Sequence, residues 1–441
     1  MPSRFLRPFQ RFIGAEASGG VLLLAATVVA LLWANSPWSH SYSELWETPF
    51  ALTFGGLHFS LPLVEWIDEG LMVLFFLLVG LEIKRELLLG ELSSAKRAML
   101  PAVGALGGMV VPALLYLAVN AGGAGARGWG IPMATDIAFA VGVLALIGPR
   151  IPGALGVFLT ALAIVDDIGA ILVIALFYSA DVALAPLAAA GVLVALLVLA
   201  NRVGIMRLWV YLGLGMLLWI AFVRSGVHPT IAGVVLALTL PATGRRSIPH
   251  FLAESRGMLD SFEAAGHEEE PLLCNQDRQV LAESLEDEAR GMRTPLGRLE
   301  DALRPWVVYG VVPLFALANA GVHLEPGWIR DLTEPVALGI LLGLVVGKQV
   351  GIFSAAWIST RLRLGSVGTG VRTGHLYGAA WLGGIGFTVS LFIAGLAFGR
   401  TPQLNVAKEA ILVASTISGL GGWAVLWLVD RLWVGRAKGE A

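Results

Sequence analysis

Apolar residues along this chain gather into windows of about 20, the length a helix needs to cross a bilayer. Twelve such segments are predicted, at 14–34, 63–89, 97–119, 129–148, 153–178, 183–200, 205–222, 226–241, 305–321, 334–358, 375–398 and 408–430. Two polar stretches interrupt the series. Between the first two segments, Ala51 to Ser60 alternates apolar and polar residues around a Gly-Gly pair, the pattern of a two-residue β-hairpin. Between the eighth and ninth lies a polar insert, 242–304, holding His267-Glu-Glu-Glu270 and a predicted helix from Asn275, its N-cap candidate, to Arg290. The chain therefore divides into helices 1–8 (1–241), a cytoplasmic polar insert (242–304) and helices 9–12 (305–441). The insert reads as a tolerated addition rather than a regulatory one.

Composition agrees with an all-α polytopic membrane protein. Of 441 residues, 56% are hydrophobic and 14% charged, against about 25% charged in soluble domains, and mean hydropathy is +0.77. A net charge of −2 predicts no nucleic-acid partner, and the single cysteine, Cys274, excludes an intramolecular disulfide. Arg4, Arg7 and Arg11 before the apolar stretch Val21 to Trp33 imitate a signal peptide. Glu16 interrupts the flank and no small-x-small cleavage site follows, so the stretch is expected to be a retained first span. Loops on the side of the termini carry 24 Lys and Arg against 5 on the other side, and still 16 against 5 without the long insert. The positive-inside rule then puts both termini in the cytoplasm, with the hairpin outside.

The chemistry lies in what interrupts the apolar windows. Asp166 and Asp167 stand at the midpoint of Gly153 to Tyr178, Asp136 follows Ile131-Pro-Met-Ala-Thr135, and Lys348 lies near the centre of 334–358. Four such groups facing lipid would cost ~10–14 kcal/mol, as much as a typical total stability of ~5–15 kcal/mol. They must face the protein interior or a watery cavity, with Lys348 paired to one of the acids. Three acids against one base leave carboxylates over. Adjacent helical residues point about 100° apart, so one of Asp166 and Asp167 can face a cation while the other faces Lys348. A carboxylate in such a site holds either a proton or a hard cation, and that exclusion is the basis of exchange. Pro132 and the run Gly383-Gly-Ile-Gly386-Phe-Thr388 are predicted to break the fourth and eleventh helices, with Gly384 and Gly386 in the second break. Opposed half-helix ends collect like partial charges, which Asp136 at N-termini and Lys348 at C-termini would offset. Thr135 and freed carbonyls supply further oxygens.

These residues resemble the NhaA family of sodium/proton antiporters. The resemblance is carried by Ala17-Ser-Gly-Gly20, Ala34-Asn-Ser-Pro37, Val79-Gly-Leu-Glu-Ile-Lys-Arg-Glu86, Ala134-Thr-Asp-Ile-Ala-Phe139 and Leu162-Ala-Ile-Val-Asp-Asp-Ile-Gly169. It continues through Ser225-Gly-Val-His228, Leu317-Ala-Asn-Ala-Gly321, Gly347-Lys348 and Gly384-Ile-Gly-Phe-Thr388, leaving out only 242–295. The family is itself a type case of inverted-repeat transporters. The resemblance implies twelve transmembrane helices, with helices 3–5 and 10–12 as inverted repeats and helices 4 and 11 interrupted and crossing. It implies Asp167 as the main cation and proton carboxylate, Asp166 as its partner and bridge to Lys348, and Thr135 and Asp136 shaping the site. Electrogenic exchange of Na+ or Li+ for protons by alternating access follows, serving pH and sodium homeostasis in a bacterial inner membrane, with no cofactor and with a homodimer formed through the hairpin. Its pH-sensing cluster falls on Glu82, Arg85, Glu86 and Glu300. The chain departs from the family pattern nearby: Gly297 stands for a lysine, and Asp301 and Arg304 stand where members carry histidines. Alkaline activation is therefore not carried over. His228 matches a family histidine and is expected to pack or tune the site.

Two other readings account for less. A passive cation channel selects with rings of charges or carbonyls, usually by subunit symmetry, and gives broken helices no purpose. An intramembrane aspartyl protease needs two aspartates sharing a proton. The chain has no Gly-x-Gly-Asp segment, and that chemistry leaves Lys348 without a role.

Overall fold

In lipid each backbone group must find its partner within the protein, and the apolar windows do so as helices. The computed structural model of the chain describes residues 3–54, 57–148, 151–179, 183–242, 248–265, 276–324, 326–365, 368 and 370–439. The chain starts with α1 (Ser3–Ala34), α2 (Ser39–Glu47), β1 (Pro49–Phe54), β2 (Leu57–Pro62), the turn α3 (Leu63–Glu65) and α4 (Met72–Leu89). Then come α5 (Ala95–Asn120), α6 (Ile137–Ile147), α7 (Gly153–Phe177), α8 (Leu184–Arg202), α9 (Leu208–Ser225) and α10 (Ile231–Thr239). The insert carries α11 (Ile248–Ala264) and α12 (Gln276–Met292), followed by α13 (Pro295–Trp306), α14 (Val312–Asn319) and α15 (Trp328–Asp331). The last stretch holds α16 (Pro335–Leu341), α17 (Lys348–Arg361), α18 (Thr373–Leu382), α19 (Phe387–Phe398) and α20 (Pro402–Gly439).

Among the described residues, seven helices are long and apolar enough to cross a membrane, and three bent pairs bring the number to ten if each is one span. Two of those pairs are the predicted interruptions. A 3-10 helix, Ala124–Met133, meets α6 at 43°, and α18 meets α19 at 43°. The protein is a multi-pass, all-α membrane protein, with one small sheet among the described residues. In that sheet β1 and β2 pair antiparallel, Ala51 opposite Ser60 and Phe54 opposite Leu57. The predicted turn, Gly55-Gly56, lies outside the described residues, as do His267 to Glu270 and the Asn275 cap.

Several boundaries differ from the apolar windows for local reasons. The window 226–241 holds only the nine-residue α10. Lys84 of α4 donates to the carbonyls of Leu238, at 2.7 Å, and of Leu240, and so serves acceptors that the end of α10 leaves open. The insert is not one helix but two, joined by Arg278, which lies 5.3 Å over the Phe262 ring and donates to the Phe262 carbonyl. Residues 295–304 belong to α13, whose first turn is capped by Thr294. π-helical segments at Trp66–Leu71, Val307–Val311 and Leu342–Gly347 lie within helical stretches the windows treat as uniform. Such bulges are rare and concentrate where function needs a side chain re-aimed. The last one ends directly before Lys348.

The close approach of α5 and α17 places Lys348. Glycines remove the side chains that would hold the two backbones apart, the usual device of helix packing in lipid. A Cβ on Gly351 would overlap the carbonyl of Gly107, and one on Gly347 would lie 2.8 Å from Pro112 Cα. With no room to slide, α17 presents Lys348 past Gly108 into the interior. Gly351→Ala is expected to lower stability by ~1–3 kcal/mol, the usual cost of overpacking. Thermal melting of the detergent-solubilised protein checks this, and a wild-type midpoint would show that the helices are not held at this distance.

Candidate ion-binding site

The two helix breaks meet in the middle of the bundle and are bonded to each other. Asp136 caps α6, its Oδ1 accepting from the Phe139 amide at 3.1 Å. Its Oδ2 accepts from the amide and hydroxyl of Thr388 at 3.1 and 2.5 Å, at the start of α19. One carboxylate thus serves two helix N-termini, whose partial positive charges it offsets. The Asp136 amide donates to the Ile385 carbonyl at 2.7 Å, and Ser390 Oγ donates to the Ile131 carbonyl at 2.8 Å. The unwound backbone is therefore bonded across the crossing rather than left open.

Lys348 has no solvent-exposed surface, and Asp166 retains 1%. The Lys348 ammonium pairs with Asp166 Oδ2 and donates to Thr135 Oγ1 at 2.9 Å. Thr135 Oγ1 lies 2.6 Å from Asp166 Oδ2 and 2.9 Å from the carbonyl of Gly383, the residue that ends α18. A threonine has one hydroxyl proton, so it serves one of these two acceptors at a time. The lysine reaches the C-terminus of α18 through this hydroxyl rather than directly. Asp166 Oδ1 is buried without a hydrogen-bond partner.

Asp167, one residue on, points elsewhere. It lines a cavity of about 60 Å³ together with Glu82, Thr135, Asp136 and Thr388, walled by apolar side chains such as Phe75, Val79, Val308 and Val312. It is 5% exposed, and among the described residues no donor bonds to its carboxylate. The two neighbouring acids thus have different surroundings: one paired in a dry hub, the other unpaired on the wall of a small cavity. Among the described residues no three His, Cys, Asp or Glu side chains form a metal cage.

A family model described as Na+/H+ antiporter 1 matches residues 10–426. The chain belongs to this family. The Na(+)/H(+) antiporter NhaA of Oleidesulfovibrio alaskensis is 48% identical over 428 residues, covering 97% of this chain and 95% of that protein. The protein of the same name from Syntrophobacter fumaroxidans is 48% identical over 429 residues, covering 96% and 90%. That of Acidithiobacillus ferrooxidans is 44% identical over 439 residues, covering 99% of each.

Around this antiporter-family site the remaining candidates separate. Arg304 Nη2 lies 2.8 Å from Glu82 Oε1 and 2.8 Å from Glu300 Oε1, and Arg85 lies 3.4 Å from Glu300. Glu82, Arg85 and Glu300 are one cluster, with Arg304 at its centre, and Glu82 also lies on the cavity wall. Glu86 is not in it. Its carboxylate accepts from the Glu91 amide at 3.0 Å, in the turn where α4 ends. Gly297 donates its amide to the Thr294 cap, and Asp301 pairs at the surface with Arg293 at 3.6 Å. The His228 ring packs edge-on against Phe392 at 5.3 Å, with Nε2 buried and unbonded. Gly384 and Gly386 sit inside the α18–α19 break, where a Cβ on Gly384 would lie 2.5 Å from the Leu344 carbonyl. Thr388 and Ser390 were not among the sequence candidates, although Thr388 closes the glycine motif that was.

Lys348→Ala strips Asp166 of its counter-charge, and breaking a buried pair typically costs ~3–5 kcal/mol. A marked fall in melting temperature is expected for the solubilised variant. Melting at the wild-type temperature would show that the pair does not hold the crossing together.

Proposed function

We propose that this protein is a secondary active sodium/proton antiporter, not an enzyme or a passive channel, in which Na+ and protons compete for Asp167. The observation that carries this is the division of the two aspartates. Asp166 is committed to Lys348, while Asp167 faces the cavity with no bonded donor. A carboxylate free of partners binds either a proton or a hard cation, since both need the same oxygens. Asp166 Oδ1, buried and unbonded, is the natural second oxygen for the cation. Li+, a hard cation like Na+, fits the same oxygens. The relatives' name, Na(+)/H(+) antiporter NhaA, supports the reading.

The proposal extends to architecture and setting. Twelve spans, with helices 3–5 and 10–12 as inverted repeats, put the crossed breaks at the middle helix of each repeat. Both termini face the cytoplasm of a bacterial inner membrane, where export of sodium against proton uptake serves pH and sodium homeostasis. More than one proton per sodium makes the cycle electrogenic, and rocking of one bundle against the other gives alternating access. No cofactor is required. The β1–β2 edge is the surface through which two copies pair. Glu82, Arg85, Glu300 and Arg304 are proposed to link the cytoplasmic surface to the cavity, with Arg304 holding its charge at every working pH. His228 tunes the site by packing.

Asp167→Asn is expected to abolish sodium-driven proton movement in everted vesicles while the protein still accumulates in the membrane. Full exchange in this variant would overturn the assignment. Deleting residues 250–292 is expected to leave the pH profile of exchange unchanged, and a displaced profile would give the insert a regulatory role.

A further inference from the structure

The cavity beside Asp167 is walled by two helical stretches that carry polar groups at both ends. On α4 the lining residues Phe75, Val79 and Glu82 share one helix face. Seven residues before Phe75 along the chain stands Asp68, within the π segment Trp66–Leu71. The other wall includes Val308 and Val312. Seven residues past Val312 stands Asn319, the last residue of α14. Asn319 Nδ2 donates to Asp68 Oδ1 at 2.8 Å. The gap between the two walls is thus bridged at one end by Glu82–Arg304 and at the other by Asp68–Asn319.

Only the first of these bridges belongs to the cluster already described. Asp68 is half-buried, and among the described residues its Oδ2 accepts no hydrogen bond. Two cations come from the region where α19 turns into α20. Lys408 acts on Asp68 electrostatically without forming an ion pair with it, and Arg400 is bonded to Glu65 at 2.7 Å. Phe315 stands between Val312 and Asn319 on α14 and belongs to an aromatic cluster. Phe392, one turn beyond Thr388 on α19, packs against Phe76 at 5.4 Å, Phe315 at 6.3 Å and His228 at 5.3 Å. A carboxylate with one free oxygen, where the two stretches that wall the ion cavity are bonded to each other further along, is placed as the next stop for a cation.

Resting on the antiporter reading and the orientation given above, we propose that Asp68 is the cation's station on the extracellular side. When the rings around Phe392 part, the ion passes between Asp167 and Asp68 and displaces the bond from Asn319. With the rings closed, the same bond seals that end of the cavity, and the positive charges at Lys408 and Arg400 keep the station from trapping the ion.

The test compares the two faces of the membrane. Apparent KM for Na+ is measured in right-side-out and in everted vesicles for the wild type and Asp68→Asn. Loss of one charge-assisted contact is expected to raise KM at the extracellular face about tenfold or more, leave the cytoplasmic face within about twofold, and be rescued by Asp68→Glu. A strut would change both faces alike or neither. If wild-type vesicles exchange and Asp68→Asn leaves the extracellular KM unchanged, or moves both faces together, the station is wrong and the antiporter reading stands. If the wild type shows no exchange, the antiporter reading itself fails. Should Asp68→Asn not accumulate, Asn319→Cys in a Cys274→Ser background decides. An impermeant thiol reagent added outside is expected to label it, more slowly in Na+ than in choline. Absence of labelling, or indifference to Na+, overturns the proposal.

Discussion

The ammonium of Lys348, sealed from solvent, is the constraint on which the rest of the structure depends. A buried charge is tolerable only with a counter-charge and with donors and acceptors in place. Meeting that demand brings α17 against α5 through glycine contacts, turns Asp166 inward, and recruits Thr135 from the unwound stretch before α6. Thr135 in turn touches the end of α18. Four separated stretches of sequence are thereby held at one point. Asp167 is left over, and its freedom follows from its neighbour's commitment.

Asp136 answers a second electrostatic demand a few ångströms of chain away. Two helices, α6 and α19, begin at the crossing, and a single carboxylate accepts from both. Peptide dipoles that would repel across the crossing become binding partners of the same group. The interruption of each helix is thus what allows the other to be interrupted.

Much of this was legible in the amino-acid sequence because charge in lipid is costly. Asp136, Asp166, Asp167 and Lys348 stood out against apolar surroundings, and the 100° between neighbours on a helix separated the two acids before any coordinates. Pro132 and the glycines near 384 marked the breaks. What stayed hidden depended on three-dimensional proximity or on local winding. The family resemblance put Glu82, Arg85, Glu86 and Glu300 in one cluster, but the turn after α4 has an amide that Glu86 satisfies instead. Arg304 read as a departure from a family pattern, yet it is the cation that joins Glu82 to Glu300. The π segments left no trace in apolar windows, which count residues and not turns. Ser390 and Thr388 became meaningful only once α19 was seen to lie against the unwound chain.

The hydroxyl of Thr135 has a consequence of a different kind. It has one proton and two acceptors, Asp166 Oδ2 and the Gly383 carbonyl. The hub is one donor short, so the hydroxyl proton serves either the carboxylate or the carbonyl within an unchanged frame. A positive charge arriving beside Asp167 shifts the balance between them, because it changes the field at one acceptor more than at the other. The arrival of an ion can then be registered by the turn of a single hydroxyl, before any helix has moved.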